Sequence, residues 1–418
     1  MNKMNQEIQN DIDNCLNCKN RPCMKGCPLS NTIPDVIQCV KNRKMEEAYN
    51  KLLDSTILGS ICGRICPHYK QCMGSCIRGI KGQSIKIGAI ESFVSDYGLS
   101  NNWDENIKIK DNIKNKKVAV VGGGPAGLTC AYFLRREGAD VTIYEKYETL
   151  GGILSHGIPG FRLNKDILKK TIDSILKLGV NVKYNTELGK DFTVTELKEK
   201  YDAIFISIGA NISTNMNIPG ENLEGVYGGN ELLEKANHPD YKGKKVAVIG
   251  GGNVAMDASR TIKRLGAGKV YVIYRRAEEQ MPAEKKEIEE AKLDGIEFLF
   301  QNNITKILGN EKVEKIECIK TELIKKEGED RLSPVNIEGS NYEIDMDYVV
   351  MAVGSKPEEN LIAEFEKNKW GYININDNMQ TSIPNVYAGG DIAGEKATVA
   401  WAANSGRNAA YSIIKELK

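Results

Sequence analysis

Four things are missing from this sequence. No apolar stretch approaches the roughly 18 residues that a membrane-spanning helix needs, and the opening MNKMNQEIQNDIDN lacks the apolar core of a secretory leader. Both absences predict an unanchored, cytoplasmic protein with no membrane partner. No charge of one sign dominates: 57 Lys and Arg face 56 Asp and Glu, a formal net charge of +1, so no global basic field points to nucleic acid. Beyond residue 76, cysteine is nearly absent: only Cys130 and Cys318 occur there, far apart in sequence, which leaves no redox-active CxxC pair in that part of the chain. What is present, 41% hydrophobic and 27% charged residues, reads as a soluble globular chain. Its 418 residues call for two or three cores, because single cores stop growing near about 250 to 300 residues.

The other nine of the eleven cysteines crowd into the first 76 residues. Without a leader, and with domains downstream that need no staples, a disulfide scaffold is disfavoured and metal ligation favoured. Cys15, Cys18, Cys23 and Cys27 read C-x2-C-x4-C-x3-C before Pro28, and Cys62, Cys66, Cys72 and Cys76 read C-x3-C-P-x4-C-x3-C. Close triplets with a further cysteine at x3 resemble the bacterial ferredoxin run, in which the fourth thiolate serves the other cluster, so two 4Fe-4S clusters are expected. Zinc, which generally uses two separated C-x2-4-C pairs, is the alternative. Cys39, among Val36, Ile37 and Val40, reads as a small buried hydrophobe.

Residues 118–145 form a complete strand, turn, helix and strand: Val118, Val120 and Val121 lead into Gly122-x-Gly124-x-x-Gly127, and the second strand ends in Glu145. Gly122 allows a tight turn, Gly124 lets backbone approach a pyrophosphate, Gly127 lets helix and strand pack, and the acid suits a ribose hydroxyl. The pattern returns at 245–276 with Gly250, Gly252 and Ala255, but its second strand ends in Arg275 and Arg276. An arginine there can pair with a 2'-phosphate that an acid would repel, so this copy should prefer NADP(H); a merely solvated strand end is the bland reading. Strands over Tyr201–Gly209 and Asp347–Gly354 both end in glycine, and each is expected to mark a crossover between domains. Residues 383–391 deliver Asp391 at a glycine turn, where it suits a ribityl hydroxyl or caps the turn. The small-residue helix 397–411 that follows presents its N-terminus to a reduced isoalloxazine.

The remaining pattern is coarser. Helices are expected over 34–53, 85–97, 165–178 and 280–293, strands over 180–184, near Phe298 and over 313–318, a linker over 101–116, and an exposed hairpin over 320–331. His156 lies in the glycine- and proline-rich loop 150–163 and reads more simply as a structural or solvated residue than as an acid-base group.

Together, the two cysteine quartets, GGGPAGL with its acid, GGILSHGIPGFRL, GGGNVAMDASR, YRR with MPAE, and YAGGD resemble the small subunit of NADPH-dependent glutamate synthase almost from end to end. The chain is also similar to the flavin half of dihydropyrimidine dehydrogenase and to the large subunits of NADPH:ferredoxin oxidoreductase complexes. The resemblance implies an α/β fold of two nested Rossmann-like domains behind a helical iron-sulfur head. The head would span residues 1–112, the FAD domain 113–242 and 347–418, and the inserted NADPH domain 243–346. FAD would lie against Gly122, Gly124, Pro125, Ala126, Gly127, Glu145, Lys146, Gly152, Arg162, Gly209, Gly390, Asp391, Thr398 and Val399. NADPH would lie against Gly250, Gly251, Gly252, Asn253, Val254, Arg275, Arg276 and Gly354. One 4Fe-4S cluster would be held by Cys15, Cys18, Cys23 and Cys76, the other by Cys27, Cys62, Cys66 and Cys72.

The activity so implied is an electron relay from NADPH through FAD and the clusters, with no catalytic side chain. Its acceptor would be the large catalytic subunit of glutamate synthase in a hetero-oligomer. A dihydropyrimidine dehydrogenase or a ferredoxin-linked bifurcating transhydrogenase would be the alternative. A disulfide reductase of the thioredoxin reductase type lacks its cysteine pair here, and a non-enzymatic scaffold is at odds with the intact glycines, Glu145 and Asp391.

Overall fold

The computed structural model describes residues 5–325 and 332–418. The chain divides into two compact units. One comprises the chain up to Ser155 with Gly160–Ala210 and Pro357–Lys418, and the other His156–Pro159 with Asn211–Lys356.

The first unit opens on short helices, Gln6–Asn14, Pro22–Gly26, Ile33–Lys41, Met45–Leu53, Gly59–Ile65 and the longer Ile87–Ser100. The expected single helix over 34–53 is two. The first ends in a Schellman closure: Arg43 takes φ 59°, its amide donates to the Val40 carbonyl at 2.9 Å, and the Lys44 amide donates to the Cys39 carbonyl at 2.8 Å. Helix Ile87–Ser100 buries Ile87, Ile90, Phe93 and Val94 as their spacing requires. The expected linker is ordered against the sheet domain, for the amides of Lys110 and Ile113 donate to the carbonyls of Arg136 and Glu137 at 2.8 and 3.0 Å, and Ile113 is buried. These bonds use carbonyls left open at a helix C-terminus.

Behind the helical head lies a five-stranded parallel sheet ordered Val386–Ala388, Ala203–Ile206, Lys117–Val121, Asp140–Tyr144 and Asn181–Lys183. Sequential βαβ crossovers on one side and a late-returning strand on the other give the doubly wound arrangement. Its central strands are buried on both faces, hence their nearly continuous apolar runs. Helices Pro125–Arg136 and Val399–Leu417 pack against each other across small residues: a Cβ on Gly406 would overlap the Ala126 carbonyl. Head and sheet join within the unit through Tyr132, whose hydroxyl donates to the Leu53 carbonyl at 3.1 Å, and Arg136, which donates to the same carbonyl at 3.0 Å. The last turn of helix Met45–Leu53 thereby receives donors that solvent would otherwise supply.

The second unit repeats the plan, with a parallel sheet ordered Val226–Gly228, Tyr348–Met351, Lys245–Ile249, Lys269–Tyr274 and Glu297–Phe300. It extends past the expected 243–346 at both ends, because strand Tyr348–Met351 lies between Lys245–Ile249 and Val226–Gly228 in the sheet and belongs to it. Its entry and exit strands, Ile212–Ser213 and Ser355–Lys356, pair antiparallel, just beyond the two glycine-ended strands expected to mark crossovers. A second, antiparallel layer contains Asn302–Leu308, Lys315–Ile324, Ser333–Asn336 and Tyr342–Asp345. Lys315–Ile324 and Ser333–Asn336 pair antiparallel; of the expected hairpin over 320–331, residues 326–331 lie outside the described residues. Among the described residues no helix is long and apolar enough to cross a membrane.

Candidate cofactor sites

In the first unit, strand Lys117–Val121 runs into Gly122, at φ 97°, and Gly124 is the N-cap of helix Pro125–Arg136, which begins with proline. That geometry aims the unpaired amides of the first turn at whatever lies before the loop. Gly127 cannot carry a side chain, because a Cβ there would overlap the Gly122 carbonyl oxygen. Gly124 differs: the nearest atom to a Cβ on it is Cα of Gly152, 4.0 Å away. The space before Gly124 is thus a cradle lined by backbone, which fits a pyrophosphate.

Glu145 is 4% exposed. Its Oε2 accepts from the Gly123 amide at 2.8 Å and its Oε1 from the Tyr147 amide at 3.0 Å. The acid thus sits under the glycine turn at the strand end, where a ribose would lie. Lys146 is exposed beside it with its ammonium over the Tyr147 ring. Gly152 approaches Gly124, Arg162 is half-buried in the loop that follows Gly152, and Gly209 lies just beyond strand Ala203–Ile206 at φ 76°. At the far end of the unit Gly390, φ 74°, donates its amide to Ser405 Oγ at 2.7 Å. Burial pushes the neighbouring Asp391 carboxyl up to about 6, with Glu395 adding like-charge repulsion. An acid so placed gains from a hydroxyl donor. Thr398 caps helix Val399–Leu417 through its side chain, so Thr398 and Val399 stand at the positive end of a 19-residue dipole.

The second unit copies the turn. Gly250 has φ 139°, Gly252 is the N-cap of helix Asn253–Arg264 and a Cβ on it would meet nothing within 4 Å, and Ala255, in the third position, is fully buried. The MPAE segment braces this turn: the Ala283 amide donates to the Gly251 carbonyl at 3.0 Å, and Asn253 Oδ1 accepts from the Glu284 amide at 3.1 Å. Val254 and Gly354 are close by in chain and sheet. Arg275 is exposed at the strand end; Arg276 is partly buried and its Nε donates to the Leu332 carbonyl at 3.1 Å.

The eight cysteines fall into two sets. Cys15, Cys18, Cys23 and Cys76 line one cavity, walled by Ile33, Pro34, Ile37, Ile85 and Ile87. Burial pushes the Cys23 thiol up to about 11, helped by the charges of Cys15 and Cys76. Cys27, Cys62, Cys66 and Cys72 interact electrostatically with one another. Burial, then the Glu91 charge, pushes Cys27 up to about 12. Among the described residues no three His, Cys, Asp or Glu side chains are arranged to hold a metal ion. Each set offers four cysteines, the donor complement that a 4Fe-4S cluster takes. Ligation requires thiolates, so cluster assembly here releases protons.

Two features of the second set were not expected from sequence. Glu91, 8% exposed, takes part in the electrostatics of Cys27, Cys62, Cys66 and Cys72, and accepts from Asn31 Nδ2 at 2.7 Å. Its burial pushes the carboxyl up to about 8. The available signal was its spacing: four residues after Ile87, it falls on that residue's buried helix face. Cys66 accepts a hydrogen bond from the backbone amide of Ala400, in the first turn of helix Val399–Leu417. Cys39 is buried, as expected of a small hydrophobe.

Two glycine turns on parallel sheets, with two cysteine sets ahead of them, define a nucleotide-dependent redox protein. Residues 116–406 match the family described as pyridine nucleotide-disulphide oxidoreductase, and residues 1–103 match dihydropyrimidine dehydrogenase domain II, 4Fe-4S cluster. The chain belongs to the first family, with the second as its head, and is an NADPH-dependent flavoprotein oxidoreductase using FAD, NADP(H) and iron-sulfur chemistry. It is 33% identical to the glutamate synthase (NADPH) small chain of Escherichia coli over 97% of this chain and 90% of that one. It is 35% identical to the NADP(+)-dependent formate dehydrogenase subunit beta of Moorella thermoacetica over 95% of this chain, but spans only 60% of that relative's length. Mycobacterium tuberculosis FprA in complex with NADPH shares the fold, with a TM-score of 0.64, 22% identity, and coverage of 72% of this chain and 84% of that one. The family name carries a disulphide chemistry that this chain lacks the residues for beyond its head. Cys130 and Cys318 are each buried, one in each unit, and burial raises both thiols.

Proposed function

We propose that this chain is the electron-input subunit of a larger oxidoreductase, taking NADPH at the second unit's turn and passing electrons through FAD and two clusters to a partner. The observation that carries the reading is the Ala400 amide on Cys66. The helix whose first residues, Thr398 and Val399, face the flavin position thereby touches a cluster ligand within the same turn. A flavin supplies the exchange between two-electron and one-electron chemistry; the chain binds and orients. Glu145 holds the ribose, Gly124 admits the pyrophosphate, and Thr398 with its helix terminus favours negative charge at the ring. Arg275, with Arg276, selects the 2'-phosphate.

The second cysteine set lies on the flavin side. It offers five donors, Cys27, Cys66 and Cys72 with Cys62 or Glu91 as the fourth. The first set, Cys15, Cys18, Cys23 and Cys76, is the exit. Beside it Leu16 and Ile77 are 59% and 41% exposed, apolar side chains of the kind that mark a docking surface. The partner that fits best is the large subunit of glutamate synthase, since the small chain of that enzyme is matched over most of its length. A dihydropyrimidine dehydrogenase or a ferredoxin-linked transhydrogenase is the second reading. Tagged protein should retain an amidotransferase subunit, and its NADPH oxidation should rise with 2-oxoglutarate and glutamine together. Retention of a different redox subunit, with no response to that pair, would sink the glutamate assignment and leave the relay intact.

A hydrogen bond to a charged group contributes about 1.5 to 3 kcal/mol, so Arg275→Gln should raise the NADPH KM on the order of 10- to 100-fold and leave the NADH KM nearly unchanged. Arg276→Gln should do less, because its guanidinium is already engaged by Leu332. Equal losses with both nucleotides would show that the pair only shapes the strand end.

A further inference from the structure

We propose that Arg407 is a positioning residue that sets the reduction potential of the cluster in the second cysteine set, an inference that rests on reading that set as a cluster site. Arg407 lies two turns along helix Val399–Leu417 from Ala400. Its Nη1 donates to the carbonyls of Leu29 at 2.9 Å and Ser55 at 3.0 Å, and its Nη2 donates to Asn404 Oδ1 at 3.0 Å. Its Nε is buried with no partner among the described residues. No carboxylate forms an ion pair with it among those residues. A half-buried guanidinium without a counter-charge is costly, and it stays charged because its pKa is far above neutrality. Its electrostatic partners are Tyr411 and, after it, Cys27, whose turn it reaches through the Leu29 carbonyl. An anionic, thiolate-ligated cluster is the counter-charge this arrangement lacks.

The same side chain organises the turn around that sulfur. The amides of Leu29 and Asn31 donate to Cys27, and Arg407 holds the Leu29 carbonyl. Charge and amides act in one direction. Both stabilise the added electron of the reduced cluster, and hydrogen bonds to sulfur together with net charge are the levers that set such potentials. None of the partners of Arg407 named above belongs to the first set, which should be indifferent to it.

The test is an anaerobic redox titration of the full-length holoprotein, followed by electron paramagnetic resonance, in wild type, Arg407→Gln, Arg407→Lys and Asn404→Ala. Arg407→Gln should disfavour reduction of one cluster about tenfold, equivalent to ~59 mV for one electron, and leave the other cluster and the iron and FAD contents unchanged. Arg407→Lys should recover at least half of the shift. Asn404→Ala, which removes the guanidinium's side-chain anchor, should shift the same cluster in the same direction by a smaller factor, and it decides the matter if Arg407→Gln does not hold iron. Unchanged potentials in Arg407→Gln or, where that variant loses iron, in Asn404→Ala would overturn the proposal, as would equal shifts in both clusters or a lysine variant as low as glutamine. Wild-type protein with one cluster signal and no iron at the second set would instead defeat the cluster reading itself.

Discussion

Gly124→Val and Gly252→Val should each empty one nucleotide site of an otherwise intact protein. Neither glycine needs an unusual backbone: Gly124 has φ −75° and Gly252 φ −90°, conformations open to any residue. A Cβ on either meets no protein atom closer than 4.0 Å, so the fold has room where the side chain begins. The bound pyrophosphate does, because it must approach the backbone closely at this position. Affinity should fall at least about 100-fold, roughly 2.7 kcal/mol. Gly124→Val should purify without yellow colour yet still bind NADPH, and Gly252→Val should keep its flavin and lose NADPH-dependent reduction. Calorimetric titration with each nucleotide, alongside thermal unfolding within a few degrees of wild type, checks both. Normal flavin content in Gly124→Val would mean that the first turn does not hold the FAD pyrophosphate.

Serine substitution of the cysteines should divide the iron in two. Cys18→Ser removes a thiolate from the cavity shared with Cys15, Cys23 and Cys76. Cys72→Ser removes one from the set that interacts with Cys27, Cys62 and Cys66. Each should lower iron from about eight to about four atoms per chain, on the cubane reading of both sites. The remaining spectrum should differ between the two variants. The pair Cys62→Ser and Glu91→Gln then resolves the fourth donor of the second set, since only one should abolish its signal. Iron loss from both sites in either Cys18→Ser or Cys72→Ser would indicate shared ligation rather than two separate sets, and stoichiometric zinc would remove the clusters altogether.

Local order made the two glycine turns legible. A strand, a turn and a helix follow one another within 20 residues, and the residue ending the next strand, Glu145 or Arg275, distinguishes the copies. The unit boundaries depended on pairing across long stretches of chain. Val226–Gly228 is three residues long and acquires its place only by pairing with Tyr348–Met351, more than 100 residues later, so the second unit was drawn too short. The grouping of Cys76 with Cys15 likewise came from resemblance, since spacing alone cannot close a loop of some 60 residues onto a particular partner. Arg43 hid the break at 42–44, because a Schellman closure without glycine leaves little trace in composition. Glu91 left only its helical spacing from Ile87 as a trace and the Ala400 amide left none, because a carboxylate on an apolar face and a backbone N–H have no motif of their own.

The relay itself is tested most directly by mixing oxidised holoprotein with excess NADPH under anaerobic conditions, freezing at intervals and recording low-temperature electron paramagnetic resonance, in wild type and in Gly124→Val. The account predicts reduced-cluster signals in wild type and none in the flavin-free variant, although chemical reductant should reduce the clusters of both. Clusters reduced by NADPH without flavin, or left oxidised by NADPH with flavin bound, would contradict it.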